Sequence, residues 1–231
     1  MEVLVTGGDT ELGRVVADRF RGAGHDVTLM GVDADALSCA AEQLGAKTVV
    51  CDNTDPASLT AARESFPHHI DAIVNIPAPR GAAGDPRTYS MTELAAAWRN
   101  TFDVNLLSAV LTVQTAGEHL RSGGSIVSVL PEHPTEGGAA AAVKAALADW
   151  TEGQAGVFGT RGITINVVAS GSAAHPGYDG LIGGHRPLAG DTSPSAATEV
   201  ARLALFLTTP SARHITGQTL HVGSGALANF G

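Results

Sequence analysis

Cysteine, aromatic residues, positive charge and long apolar runs are all scarce in this 231-residue chain. Its two cysteines, Cys39 and Cys51, match no metal-ligand spacing and supply no disulfide framework, which fits a reducing compartment. Aromatic residues make up 4% of a chain that is 44% hydrophobic, so the core has to come from Val, Leu, Ile and Ala. That is the usual stock of parallel strands with helices on both faces. The 14 Lys and Arg residues are scattered and face 23 Asp and Glu, for a formal charge of -9. Nucleic acid is excluded as a partner, because phosphate binding needs a basic stripe. No apolar run approaches the ~20 residues that span a bilayer. The opening Met1–Thr6 reads as a strand and not as a signal peptide. A cytoplasmic protein with no membrane partner is expected, folded as one α/β domain over residues 1–231, a size that buries roughly 70% of its unfolded surface.

What is present is alternation. Glu2 to Thr6 is a β-rich run, followed by Gly7-Gly8-Asp9-Thr10-Glu11-Leu12-Gly13 and an amphipathic segment from Arg14 to Arg21. Strand, glycine-rich turn and helix open a nucleotide-binding βαβ unit. Further strands are expected at Asp26–Met30, Thr48–Cys51, Ala72–Ile76, Ser125–Leu130, Gly162–Ala169 and Gly217–Val222, with helices between them. The pattern predicts a Rossmann-like, doubly wound parallel sheet of about seven strands with helices on both faces. The segment from Met91 to Leu120 is apolar on more than one face, so it is expected to be buried between the sheet and something else. Residues 170–194 read as one long loop, of the kind that serves as a lid or binding loop.

In this order and at these spacings the residues resemble one family over the whole chain, the short-chain dehydrogenase/reductase superfamily. Thr6-Gly7 and Gly13 are similar to its TGxxxGxG turn, and Asn75 to the first Asn of its NNAG. Asp52 resembles the acid after the third strand that receives the adenine amine. Asn105, in DVNL, stands where the family keeps its structural and proton-relay Asn, and Lys144 where the lysine of YxxxK falls. Asn166–Gly171 is similar to NxVxPG, and Ile215–Gly225 to the ending ITGQTLxVDGG. The resemblance implies an NAD(P)-dependent oxidoreductase acting on a hydroxyl or ketone of a small molecule.

The departures fall on that chemistry. In the family a Tyr four residues before the Lys exchanges the carbonyl proton, on the same helix face as the cation. Here that position is Ala140, and no tyrosine occurs between Met91 and Phe158. The Ser that orients the carbonyl would fall at Pro131, which has no hydroxyl. Glu11 replaces the middle glycine of the turn and places a carboxylate where a diphosphate would sit. Val32 stands where NADP-binding members tend to carry Arg, and Asp33, twenty residues beyond Gly13, suits a ribose 2'-hydroxyl. NAD(H) is therefore preferred over NADP(H) if any dinucleotide binds, and no cofactor at all is the alternative.

Each candidate carries a plain structural reading beside the functional one. Lys144 either anchors a ribose or a substrate anion, or snorkels to solvent. Asn105 either relays a proton or satisfies the helix it interrupts. Asp33 reads equally as a helix cap, and Asp52 and Asn75 as strand-end turn residues. His133, flanked by Glu132 and Glu136, has the right range for acid/base work. His175 and Tyr178 are candidates to close over the pocket, and Ser170 to bond what fills it. No histidine has metal-ligand spacing. Three readings follow: a divergent family member without ordinary dehydrogenase activity that keeps a small-ligand cleft; an NAD(H)-dependent redox enzyme or an isomerase using His133, Tyr178 or Lys144; and a structural pseudoenzyme partner of an active relative. A homodimer or homotetramer through the apolar helices around 94–120 and 139–158 is the expected assembly.

Overall fold

The computed structural model describes residues 1–79, 88–130, 138–170 and 196–222. Its strands are β1 (Glu2–Thr6), β2 (Asp26–Gly31), β3 (Lys47–Val50), β4 (Ile70–Asn75), β5 (Leu120–Leu130), β6 (Thr164–Ser170) and β7 (Thr219–Val222). They form one sheet in the order β3-β2-β1-β4-β5-β6-β7, and every pairing is parallel. The chain winds outward from β1 through β2 to β3, then crosses back to β4 and winds the other way. The switch point, where such sheets bind ligands, therefore lies between the C-terminal ends of β1 and β4.

The described residues form the α-helices α1 (Glu11–Gly22), α2 (Ala34–Leu44), α3 (Pro56–Ala62), α4 (Met91–Phe102), α5 (Ser108–Ala116), α6 (Gly138–Gly159) and α7 (Ala196–Leu207), of which all but α4 pack on the sheet. Successive strand side chains point to opposite faces. In β1, Val3 and Val5 join Val16, Phe20, Leu37 and Val200 in a core under α1, α2 and α7, while Leu4 joins Leu59, Val113 and Ile73 in a core under α3 and α5. Both sets are buried, which is why the strands read as continuous apolar runs. A third cluster packs Val143 and Leu147 of α6 on Leu130, Val167 and Ala169. Both cysteines are free, Cys39 exposed and Cys51 buried.

The segment after Met91 meets its expectation only from Val104 onward, where α5 buries Ala109, Thr112, Val113 and Ala116. α4 buries no residue at all, and burial begins at Val104 and Asn105 in the π-helical turn Asp103–Leu107 that joins α4 to α5. Its apolar side chains include Met91, 81% exposed, and Trp98, 40% exposed, stacked on Phe102 at 6.4 Å. Of the apolar side chains of α4, Phe102 packs on the α6 cluster, whereas Met91 and Trp98 stay exposed.

Candidate functional site

At the end of β1, Thr6 bridges the switch point. Its Oγ1 donates to Ile76 O at 3.0 Å and accepts from Ile76 N at 2.8 Å, so one buried hydroxyl satisfies two main-chain groups of the segment leaving β4. Gly7 follows with φ +62°, and a Cβ there would meet Ile76 O at 2.6 Å. Thr10 caps α1, its Oγ1 accepting from Gly13 N at 3.0 Å and donating to Gly7 O at 2.7 Å. This closes the turn so tightly that a Cβ on Gly13 would lie 2.0 Å from Gly7 O. Gly7 and Gly13 are required by this geometry, whatever binds. Glu11, the first residue of α1, is exposed.

Two residues on, the turn reaches across to β2. Oδ2 of Asp9 accepts from Val32 N at 2.9 Å and from Asp33 N at 3.1 Å, while Oδ1 is buried against Gly31 and has no hydrogen-bond partner. Asp33 itself caps α2, its Oδ1 accepting from Ala36 N at 3.0 Å. Of its two sequence readings the cap is the one the structure displays. Val32 is 43% exposed. Asp52 folds onto its own turn, Oδ1 accepting from Thr54 N at 2.8 Å and Thr54 Oγ1 at 2.7 Å. Asn75 is buried at the end of β4; its Nδ2 donates to Ser128 Oγ at 3.3 Å and its Oδ1 has no partner. Thr6, Gly7, Gly13 and Asn75 are thus gathered at the switch point, with Asp33 joined to them through Asp9, and Asp52 stands at the end of β3.

Asn105 donates from Nδ2 to Thr101 O at 2.9 Å, inside the π turn. A wide turn leaves main-chain carbonyls poorly placed for their usual partners, and a buried amide that bonds four residues back answers that need. The turn packs through Phe102 and Leu106 on the α6 cluster. On α6, Ala140 precedes Lys144 by one turn of unbroken helix. Lys144 is exposed and has no ion-pair partner among the described residues. Its charge reaches His221 on β7. Burial holds that imidazole below the usual histidine range, and Lys144 adds to the shift. Register explains the approach: His221 pairs with Ala169, which faces α6, so the ring stands on the α6 face.

Pro131, His133 with Glu132 and Glu136, His175 and Tyr178 lie outside the described residues. Ser170 ends β6, half-buried. Asn166 is wholly buried and clips β6 to the segment before β7, donating to Ile215 O at 2.8 Å and accepting from Gln218 N at 3.1 Å. Among the described residues no group of His, Cys, Asp or Glu is placed to hold a metal, and no helix is long and apolar enough to cross a membrane.

A turn closed on Gly7 and Gly13 at the switch point, a capped helix behind it and a carboxylate at the end of β2 fit the adenosine half of a dinucleotide. The family described as Enoyl-(acyl carrier protein) reductase matches residues 9–226. The chain belongs to the short-chain dehydrogenase/reductase superfamily. A superfamily protein of Mycobacterium tuberculosis strain H37Rv, provisionally named an oxidoreductase, is 61% identical over the full length of both chains. The 3-oxoacyl-(acyl-carrier-protein) reductase FabG of Escherichia coli K12 is 30% identical over 96% of this chain and 95% of its own. Among solved structures, BdcA in complex with NADPH aligns at a TM-score of 0.76 and 27% identity, over 96% of this chain and 92% of the other. A blue fluorescent protein from a metagenomic library, also in complex with NADPH, aligns at 0.75 and 25% over 98% of each. This superfamily chain therefore shares its fold with proteins solved in complex with NADPH. Sequence reasoning passed over Asp9, Ser128 and His221; the acid inside the glycine turn was the one visible signal.

Proposed function

We propose that this chain, one domain over residues 1–231, keeps the superfamily's dinucleotide cleft but does not run its ordinary carbonyl chemistry. The observation that carries the reading is on α6, where unbroken helix sets Ala140 in the position whose hydroxyl would exchange the proton, one turn before an exposed Lys144. A methyl group neither gives nor takes a proton, and Pro131 supplies no hydroxyl to orient a carbonyl. When bound, the nicotinamide ring supplies hydride chemistry. This chain's residues would hold the cofactor: the turn of Gly7 and Gly13 the diphosphate, Asp52 the adenine, Lys144 and Asn105 the cleft floor beyond it.

NAD(H) is preferred over NADP(H), because exposed Val32 offers no cation to a 2'-phosphate. The names of the relatives favour a second reading, an NAD(H)-dependent redox reaction of a small hydroxy or keto compound with His133 or Tyr178 as the proton donor. The exposed apolar face of α4, with Val157 of α6 61% exposed, supports assembly into a homodimer or homotetramer in the cytoplasm.

Titration of NAD(H) and NADP(H) against the thermal midpoint tests the cleft. A cofactor at ~100 times its Kd adds about 2.7 kcal/mol of stability, and no shift at millimolar cofactor removes the dinucleotide. Ala140→Tyr alone should yield little turnover of a ketone panel, and rapid reduction by that variant would overturn the assignment of Pro131. Steady turnover by the wild type that His133→Ala abolishes would establish the second reading.

A further inference from the structure

We infer that Asp9, and not Asp33, is the residue that reads the adenine-side ribose of the bound nucleotide, accepting a free 2'-hydroxyl and turning away a 2'-phosphate. The inference rests on the dinucleotide reading above only for the location of the subsite. In doubly wound sheets the ribose diol lies at the C-terminal end of the second strand, where a carboxylate accepts from it. Two carboxylates compete for that role here. Asp33 is turned into α2, its Oδ1 engaged by Ala36 N. Asp9 comes from the glycine turn itself and is held over the end of β2 by two main-chain donors, Val32 N and Asp33 N.

Those donors matter chemically. They are the amides that the end of β2 would otherwise present to an incoming anion, and Asp9 has already engaged both. A phosphate arriving there meets a fixed negative charge and no free donor, whereas a hydroxyl brings the donor that a carboxylate wants. The steric setting agrees. A Cβ on Gly31 would meet Asp9 Oδ1 at 2.5 Å and Cγ at 2.6 Å, so the carboxylate fills the space above β2 and cannot withdraw toward the sheet. Its Oδ1 is buried without a donor, so an incoming hydroxyl meets the carboxylate at Oδ2, which the two amides hold in place. No cation among the described residues balances it, since Val32 occupies the neighbouring exposed position.

Calorimetric titration with adenosine and with adenosine 2'-phosphate probes this subsite without the diphosphate that Glu11 opposes. The wild type should bind adenosine and reject the 2'-phosphate by about tenfold or more, the scale set by two like charges in partly screened contact. Asp9→Asn keeps an acceptor for Val32 N and Asp33 N while removing the charge. It should narrow that ratio by about tenfold with the thermal midpoint nearly unchanged, and Asp9→Ser should narrow it in the same direction. Equal binding of both ligands by the wild type overturns the inference, as does a ratio that moves in Asp33→Asn and not in Asp9→Asn. Absence of adenosine binding overturns it too. NADH that fails to bind while adenosine binds with the expected ratio removes the dinucleotide reading and leaves the role of Asp9 intact.

Discussion

On the glycine-turn side of the cleft, Thr6, Asp9, Thr10 and Asp33 all place side-chain oxygens on main-chain groups. On the α6 side, Ala140 has no polar side-chain atom and Lys144 stands exposed, its charge acting on His221. The difference separates two kinds of motif residue. Side chains of the first kind satisfy amides and carbonyls that the fold would otherwise leave unpaired, so folding alone keeps them. Residues of the second kind contribute little to folding, and their chemistry can be lost without disturbing the sheet. A turn that looks like a cofactor site is therefore weaker evidence for activity than a single hydroxyl on α6 would have been.

The comparison breaks most sharply at Gly13. Gly13→Ala forces a Cβ to within 2.0 Å of Gly7 O, and should cost about 3 kcal/mol, lowering the thermal midpoint by roughly 6 to 12 °C; an unchanged midpoint would show that the turn yields easily. Thr6→Val is next. It strands Ile76 N and Ile76 O in a buried setting, at about 1 to 3 kcal/mol, and chemical denaturation should show the loss with the m-value unchanged.

Glu11→Gly sharpens the contrast from the ligand's side. With the exposed carboxylate gone, NADH affinity should rise by about tenfold in calorimetry, a screened fraction of the full like-charge repulsion. Equal or weaker binding would clear Glu11 as an obstacle.

The smallest effect belongs to the other half. Lys144→Gln should raise the pKa of His221 in an NMR titration yet leave it below the ordinary value, because burial is the larger cause. The sign for stability follows from the same shift. The folded imidazole holds its proton less well than the unfolded one, so stability is present above the ordinary value of 6.5 and is lost as pH falls through it toward the lower folded value. His25, also lowered chiefly by burial, adds in the same direction. An unmoved His221 in Lys144→Gln would show that the two groups do not meet.

Much of the fold was legible from pattern. The strand at Glu2–Thr6 falls where the alternation puts it, and Ser125–Leu130 forms the second half of the longer β5. At Ile70 and Ala72 the register of β4 against β5 shifts, which lets β5 begin early at Leu120, beyond the reach of a period-two signal. The apolar stretch after Met91 divides: Val104, Ala109 and Val113 are buried as expected, while α4 buries no residue, because an amphipathic face reads the same whether its partner is this sheet or another surface. Asn105 finds a hydrogen-bond outlet at Thr101 O, a partner that only the π turn brings into place.

The site was legible as positions and not as roles. Asp33 and Lys144 stand in elements the sequence assigns them to, yet the first caps α2 and the second faces solvent. Sequence by itself determined the strand and helix alternation, the parallel sheet it implies, and the missing tyrosine on α6, since each depends on residue type and local period. Only the tertiary structure decided that Asp9 is fixed to amides 23 and 24 residues away and that His221 meets the charge of Lys144. Both contacts depend on which strands lie side by side and which face each turns to its helices, and that is set by packing between segments far apart in the chain.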